Sequence, residues 1–184
     1  MTTTLKKSFI SLTTLSLVFF LATSASAQDS GKWEFKLATS SSSAQKKIAA
    51  GIEDGISDMN FVVRPIARGR LEDTNTVCKT LTFTLADGNI SIQCGSGKVF
   101  TTPADGSYKK VTGSDNETKY NLSQKVDSKD DKTVITQVFK AEDGKRTTVY
   151  TYNHAAKTLT MKVRVNSPKL DPKAVTYTIP YKEQ

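Results

Sequence analysis

The stretch that decides the fold is residues 32–59, KWEFKLATSSSSAQKKIAAGIEDGISDM, because its hydrophobic period changes part-way along. Up to Ala38 the side chains alternate, with Trp33, Phe35 and Leu37 on one side and charges on the other. Alternation with a period of two is typical of a strand with one buried face. Lys32–Ala38 is therefore predicted to be a single strand near the start of the fold.

The second half of the stretch changes to helical periodicity. Ile48, Ile52 and Ile56 recur four residues apart behind a serine cluster that can supply a helix N-cap. Pro65 suits the first turn of a second helix that ends near Leu71. We therefore expect a helix pair at about residues 43–71, directly after the first strand.

Outward from there, the chain alternates apolar and polar residues as far as residue 183. Nine further strands are predicted, at about residues 81–85, 90–94, 98–102, 107–111, 118–126, 133–141, 146–152, 159–165 and 175–181. The links of two to five residues between them, one of them a turn at 103–106, require antiparallel neighbours. An open sheet would leave two edges and a bare apolar face, which closure removes.

The fold class that follows is mainly β: an up-and-down antiparallel barrel of about ten strands, with the helix pair between the first and second strands. A two-sheet sandwich is the alternative, although it usually needs longer crossovers. Pro180 lies inside the last strand and cannot donate a hydrogen bond to a neighbouring strand. This indicates an edge, a bulge or an incompletely hydrogen-bonded part of the barrel there.

Residues 1–27 have the three parts of a secretory signal peptide. Lys6 and Lys7 precede an apolar core at 9–22, and Ala25-Ser26-Ala27 is a small-x-small cleavage site. A membrane anchor is less favoured, because serines and threonines interrupt the apolar run. We expect cleavage before Gln28, a single mature domain at 28–184 with no transmembrane segment, and a periplasmic or secreted location.

Charge does not indicate nucleic-acid binding. The formal net charge of +8 falls to +6 without the leader, which holds two lysines and no acids. The remaining lysines are scattered along the strands, without basic runs or arginines interleaved with aromatic residues. A solvated basic surface is the favoured interpretation.

The two cysteines, Cys78 and Cys94, are expected to form a disulfide in an oxidising compartment. A type I′ turn at Asp87-Gly88 pairs Ala86 with Asn89, so the numbers of facing residues sum to 175, whereas those of the cysteines sum to 172. The bond therefore requires either a bulge or a Cys78 that lies before the strand begins.

Catalytic and metal-binding patterns are missing from the sequence. Its one histidine, His154, falls in a predicted turn, and no acid–histidine–serine set or metal-ligand spacing can be assigned. We therefore expect a protein that is not an enzyme and that uses no metal and no cofactor.

Gly31-Lys32-Trp33 is similar to the G-x-W that opens the first strand of the calycins, the superfamily of lipocalins and fatty-acid-binding proteins. The helix pair at about 43–71 also resembles the lid of the fatty-acid-binding barrels. This resemblance implies a lipocalin-like container for a ligand. The chain departs from it at 178–181, Thr-Ile-Pro-Tyr, where fatty-acid-binding proteins carry an Arg-x-Tyr carboxylate clamp.

The architecture leads us to expect a monomeric exported protein that binds a hydrophobic or amphipathic small molecule, such as a fatty acid or an isoprenoid, in the barrel. Trp33 is expected to plug the barrel base, and arginines of the lid to meet an anionic headgroup. The expected ligand contacts are Phe61, Arg64, Arg68, Phe83, Tyr150, Tyr152, Met161, Tyr177 and Tyr181.

Two alternatives remain open. The first is a periplasmic protein-interaction or inhibitor module with a filled barrel, which a closed interior and an exposed apolar patch would favour. The second is a barrel enzyme acting on a lipid-like substrate, which requires a buried polar pair with displaced pKa values.

Overall fold

The computed structural model describes residues 30–170 and 173–184, so the predicted leader lies outside the described residues. The described part contains ten strands and two α-helices. In chain order they are β1 (Gly31–Leu37), α1 (Ser41–Ile56), α2 (Arg64–Thr74), β2 (Thr80–Ala86), β3 (Asn89–Cys94), β4 (Phe100–Pro103), β5 (Asp105–Thr112), β6 (Lys119–Lys129), β7 (Lys132–Lys140), β8 (Lys145–Asn153), β9 (Thr158–Asn166) and β10 (Val175–Glu183). The predicted class is confirmed: this is a mainly β, antiparallel, nearly closed barrel with two helices between β1 and β2.

The sheet order is β4-β3-β2-β1-β10-β9-β8-β7-β6-β5, with every pair antiparallel. The strands at the two ends of this order, β4 and β5, follow each other in the chain with only Ala104 between them. Ala104 N–H donates to Gly88 O at 2.9 Å, and Ala104 O accepts from Val126 N–H at 2.9 Å. One bent strand thus joins β3 to β6 and brings the sheet round into a barrel.

The predicted turn at 103–106 is therefore wrong. Proline and glycine suggested a reversal, but the chain bends and stays extended, because β3 bonds one arm and β6 the other. Gly106 has φ +92°, and the register shifts between Asp105 and Tyr108, so the bend is a bulge that uses the freedom of glycine.

The predicted β2–β3 hairpin is confirmed. Asp87 and Gly88 have φ of 51° and 71°, as a type I′ turn requires, and Ala86 faces Asn89. Cys78 lies two residues before β2, and it bonds Cys94 with a Cα–Cα distance of 5.6 Å. The disulfide therefore forms from the segment that leads into the strand.

Helix α1 begins two residues earlier than predicted, at Ser41, because the Ser40 side chain accepts a hydrogen bond from Ser43 N–H at 3.1 Å. Its buried face includes Ile48, Ile52 and Ile56, as the spacing predicted. Helix α2 runs from Arg64 to Thr74, three residues beyond the predicted end near Leu71, and has no fully buried residue. No helix among the described residues is long and apolar enough to cross a membrane.

Two glycines let α1 lie against β10. A Cβ atom on Gly51 would lie 2.4 Å from Thr176 O, and one on Gly55 would lie 2.7 Å from Val175 Cγ2. Strand β1 pairs with β10 only at residues 181–183, so Pro180 is the last position before that pairing begins. Helix α1 packs against the start of β10, which pairs with β9 on one side but has no β1 partner on the other.

Candidate functional site

The interior of the barrel is filled by side chains in the described part of the chain. Phe83, Ile90 and Val163, on three different strands, are each 0% exposed. A void large enough for a ligand would leave the side chains of its wall exposed. These three side chains therefore border no ligand-sized void.

Aromatic rings meet across the middle of the barrel. Phe35 of β1 and Tyr152 of β8 have ring centroids 4.9 Å apart, and Phe83 of β2 and Tyr150 of β8 are 5.0 Å apart. Both pairs are edge-to-face, a favourable geometry for aromatic rings. Because β8 lies three strands from β1 and four from β2 in the sheet, these contacts span the interior rather than run along one wall.

Two buried tyrosines hold the segment that covers the α1 end of the barrel. Tyr177 Oη donates to Asn75 Oδ1 at 2.9 Å, and Tyr181 Oη donates to Cys78 O at 2.9 Å. Burial raises the pKa of both hydroxyls, so they stay protonated as donors. The segment Thr74–Cys78, which we term the covering segment, is thus bonded to the interior and also held by the disulfide.

A small set of polar side chains is buried on the β4, β6, β7 and β8 side of the interior. Gln124 is 0% exposed and its Oε1 accepts from Thr102 Oγ1 at 2.9 Å, but its Nε2 has no partner among the described residues. Tyr150 Oη points to Gln137 Oε1 at 3.4 Å, and burial raises the pKa of Tyr150 to about 12. These groups form a small buried polar set, to which the Tyr150 hydroxyl also belongs.

Outside the barrel, the turn between α1 and α2 and the first turn of α2 expose a cluster of large apolar side chains, which we call the apolar tip. It consists of Phe61, Val62, Val63 and Ile66, which are 81, 61, 44 and 60% exposed. Within the described residues only Val99 and Tyr108 are other large apolar residues of comparable exposure, and they lie on the β4–β5 side. Clustered exposed apolar residues mark interaction surfaces more often than single ones do.

Hydrogen bonds hold the backbone of the apolar tip in one conformation. Arg64 Nη2 donates to Ser57 O, and also to Met59 O at 3.2 Å. Asn60 Oδ1 accepts from Val62 N–H at 2.9 Å, and Asn60 O accepts from the N–H groups of the two residues after Val62, at 3.1 and 3.0 Å. The exposed side chains therefore project from a fixed turn.

Ion pairs attach both sides of this turn to the rest of the protein. Arg68 of α2 bonds both carboxylate oxygens of Glu53 on α1, and this hydrogen bonding lowers the pKa of Glu53. Lys173, just before β10, lies 3.2 Å from Asp58 Oδ1 and 2.6 Å from Ser57 Oγ. The apolar tip is thus positioned by contacts from α1, α2 and the start of β10.

The structure separates the predicted ligand contacts into two groups. The inward-facing group is Phe83, Tyr150, Tyr152, Met161, Tyr177 and Tyr181, all buried. Phe61, Arg64 and Arg68 lie on the α1–α2 side, where Phe61 is exposed and the two arginines bond groups of α1 and the turn after it. Trp33 is half-buried and packs against the core cluster.

Sequence reasoning missed Gln124, Arg146 and Ile66. Arg146 Nη1 donates to Thr74 O at 3.1 Å, so it also holds the covering segment. The alternation of β8 could have found it, since residues 146, 148, 150 and 152 share one face. Gln124 shares the inner face of β6 with Leu122 and would have been found in the same way.

Two depressions of the described residues lie on the outer surface. One, of about 310 Å³, is on the outside of β1–β3 beside Thr82 and Ser91, and the other, of about 360 Å³, is between Ala141 and Pro168. No three His, Cys, Asp or Glu side chains within 30–170 and 173–184 are grouped so that they could hold a metal ion.

No family model matches this sequence, and no curated protein matches it.

Proposed function

We propose that this protein is an exported interaction module that binds another protein through the apolar tip. The observation that carries the proposal is the exposure of Phe61, Val62, Val63 and Ile66 beside a barrel whose interior is packed. Fully burying a side chain of this size stabilises a complex by about 1.5–3 kcal/mol relative to leaving it exposed. Phe61 is the largest and most exposed of the four, and phenylalanine is enriched in protein interfaces.

The fixed backbone of the apolar tip supports the same function. A turn that is ordered before binding loses little conformational entropy when a partner covers it, so more of the contact energy appears as affinity. Arg64 and Asn60 supply that order through their hydrogen bonds. In this proposal the barrel is a rigid scaffold, and Tyr177 and Tyr181 keep its covered end closed.

Photo-crosslinking in the source organism tests the proposal. Benzoylphenylalanine at position 62 should give a covalent adduct of defined mass with one protein, and the double change Phe61→Ser and Ile66→Ser should reduce that adduct at least tenfold. The matched control places the same probe at position 99, because Val99 is 48% exposed on another surface. Equal adducts from both positions, or none from position 62, would contradict the proposal.

A second candidate is the binding of a fatty acid, isoprenoid or similar amphipathic molecule inside the barrel, as the calycin resemblance implies. The observation that favours it is the buried Gln124 Nε2, a donor without a partner among the described residues. A ligand with a polar acceptor would satisfy that donor, but the aromatic rings would have to move apart. Organic extraction of the purified protein, followed by titration of a fluorescent fatty acid, tests this candidate; no extracted lipid and no saturable binding would exclude it.

The remaining parts of the proposal concern the setting in which the protein works. We propose that residues 1–27 are cleaved, that the mature protein is a periplasmic or secreted monomer, and that it acts by binding rather than by catalysis. N-terminal sequencing of the exported protein should begin at Gln28. A chain that retains residues 1–27 outside the cytoplasm would contradict this part alone.

A further inference from the structure

Three arginines occur on or beside the apolar tip, and two of them are used within the protein. Arg64 donates to backbone carbonyls of the turn, and Arg68 forms the two-bond pair with Glu53. Their positive charges are therefore engaged in holding α2 against α1. A partner that competed for them would have to break these contacts.

The third arginine, Arg70, is exposed, and its guanidinium forms no hydrogen bond or ion pair with the described residues. It follows Val62 and Ile66 at intervals of four residues, which places all three along one side of α2 and its leading turn. A free guanidinium thus stands about one helical turn from Ile66 and two from Val62.

We propose that the apolar tip and Arg70 form one binding surface, whose partner is a protein with an apolar pocket that receives Phe61 and Ile66 and a carboxylate on the pocket rim that pairs with Arg70. This inference rests on the proposed function and names the chemistry of its partner. The planar guanidinium binds a carboxylate through two parallel hydrogen bonds, so Arg70 selects among partners that offer similar apolar pockets.

The charge of the surface favours a protein over a lipid membrane. Segments that bind anionic membranes by charge usually carry four to eight clustered lysines or arginines. Between Met59 and Leu71 there are three arginines, and only Arg70 is free of partners in the described structure. One free cation beside four apolar side chains fits a single carboxylate on a pocket rim.

The experiment uses the partner identified by crosslinking at position 62 and measures its Kd for the full exported protein. Arg70→Glu should weaken binding at least tenfold, and replacing the rim carboxylate of the partner with lysine should restore it. Lys47→Glu is the matched control, because it makes the same charge change at an exposed position of α1 and should alter the Kd less than twofold.

The outcomes separate this inference from the proposed function. If Phe61→Ser abolishes binding but Arg70→Glu leaves the Kd within twofold, the role of Arg70 is wrong and the apolar tip remains the binding surface. If neither change weakens binding, the proposed function itself fails. If the protein instead co-sediments with phosphatidylglycerol vesicles through Phe61 and crosslinks to no protein, the surface binds lipid and the inference is overturned.

Discussion

The barrel interior and the apolar tip use similar residue types in opposite ways. In the interior, Phe35 and Phe83 meet tyrosine rings from the opposite wall and are at most 1% exposed. At the apolar tip, Phe61 is 81% exposed. The interior is completed by its own chain, whereas the tip presents apolar surface that no described residue covers.

The polar contacts of the two regions also differ, because those of the interior join buried groups, whereas those of the tip hold a turn whose apolar side chains stay exposed. Tyr177 and Tyr181 donate from the interior to Asn75 and to Cys78 O, so their hydrogen bonds tie the covering segment to the barrel. Arg64 and Arg68 bond the backbone and a carboxylate beneath the tip, so their contacts keep an exposed turn in place. The tip is therefore an apolar turn that hydrogen bonds hold in place and that its own chain leaves uncovered.

The largest expected difference is in the free energy of unfolding lost when Phe83 or Phe61 is replaced by alanine. Phe83→Ala should lower the free energy of unfolding by about 3–5 kcal/mol, because it removes a buried ring and leaves a cavity. Phe61→Ala should change it by no more than about 0.5 kcal/mol, because the ring contacts mainly solvent. Urea unfolding of both variants measures the difference, and similar losses would show that the tip is part of the core.

Alanine substitutions at two glycines test the difference between the covered face of α1 and the open face of α2. Gly51→Ala should destabilise the protein by about 1–3 kcal/mol, because its Cβ would lie 2.4 Å from the backbone oxygen of Thr176. Gly69→Ala should stabilise it by up to about 1 kcal/mol, since nothing lies within 4 Å of its Cβ and alanine favours a helix. Thermal unfolding with opposite shifts in Tm is expected, and a loss at both positions would mean that α2 is covered.

The smallest effect concerns pH. Burial raises the pKa of Tyr150 to about 12 from an ordinary 10. The contribution of this hydroxyl to the free energy of unfolding is therefore constant below pH 10 and is lost as the pH rises towards 12. Between pH 9 and pH 11 this one group should lower the free energy of unfolding by about 1 kcal/mol. Tyr150→Phe should reduce the alkaline loss by that amount, whereas Tyr108→Phe, at a 58% exposed position, should not; equal slopes for wild type and Tyr150→Phe would contradict the burial of this hydroxyl.

Much of the fold could be predicted because its signals are local. The positive φ angles at Asp87-Gly88 set the β2–β3 register, and the isoleucines of α1 mark its buried face. The ten strands follow from a period of two. The turn at 103–106 could not be predicted, because proline and glycine suit a reversal and a bulge equally well, and neighbours from β3 and β6 decided between them.

The candidate site was predicted only in part. Tyr177 and Tyr181 were expected to contact a ligand inside the barrel and are buried, since alternation defines the faces of a strand. Arg64 and Arg68 were expected to meet a headgroup, which stays a prediction; in the structure they bond Ser57, Met59 and Glu53. The partner of a charged side chain depends on residues that are distant in sequence, so no periodicity identifies it.

The sequence by itself determined the order of elements, the faces of the strands and the register of the β2–β3 hairpin, because these depend on neighbouring residues. Only the tertiary structure decided whether the barrel is hollow, since that depends on whether rings such as Phe83 and Tyr150, 67 positions apart, meet across it. The same holds for Phe61, whose exposure reflects the absence of any described element over the turn that carries it.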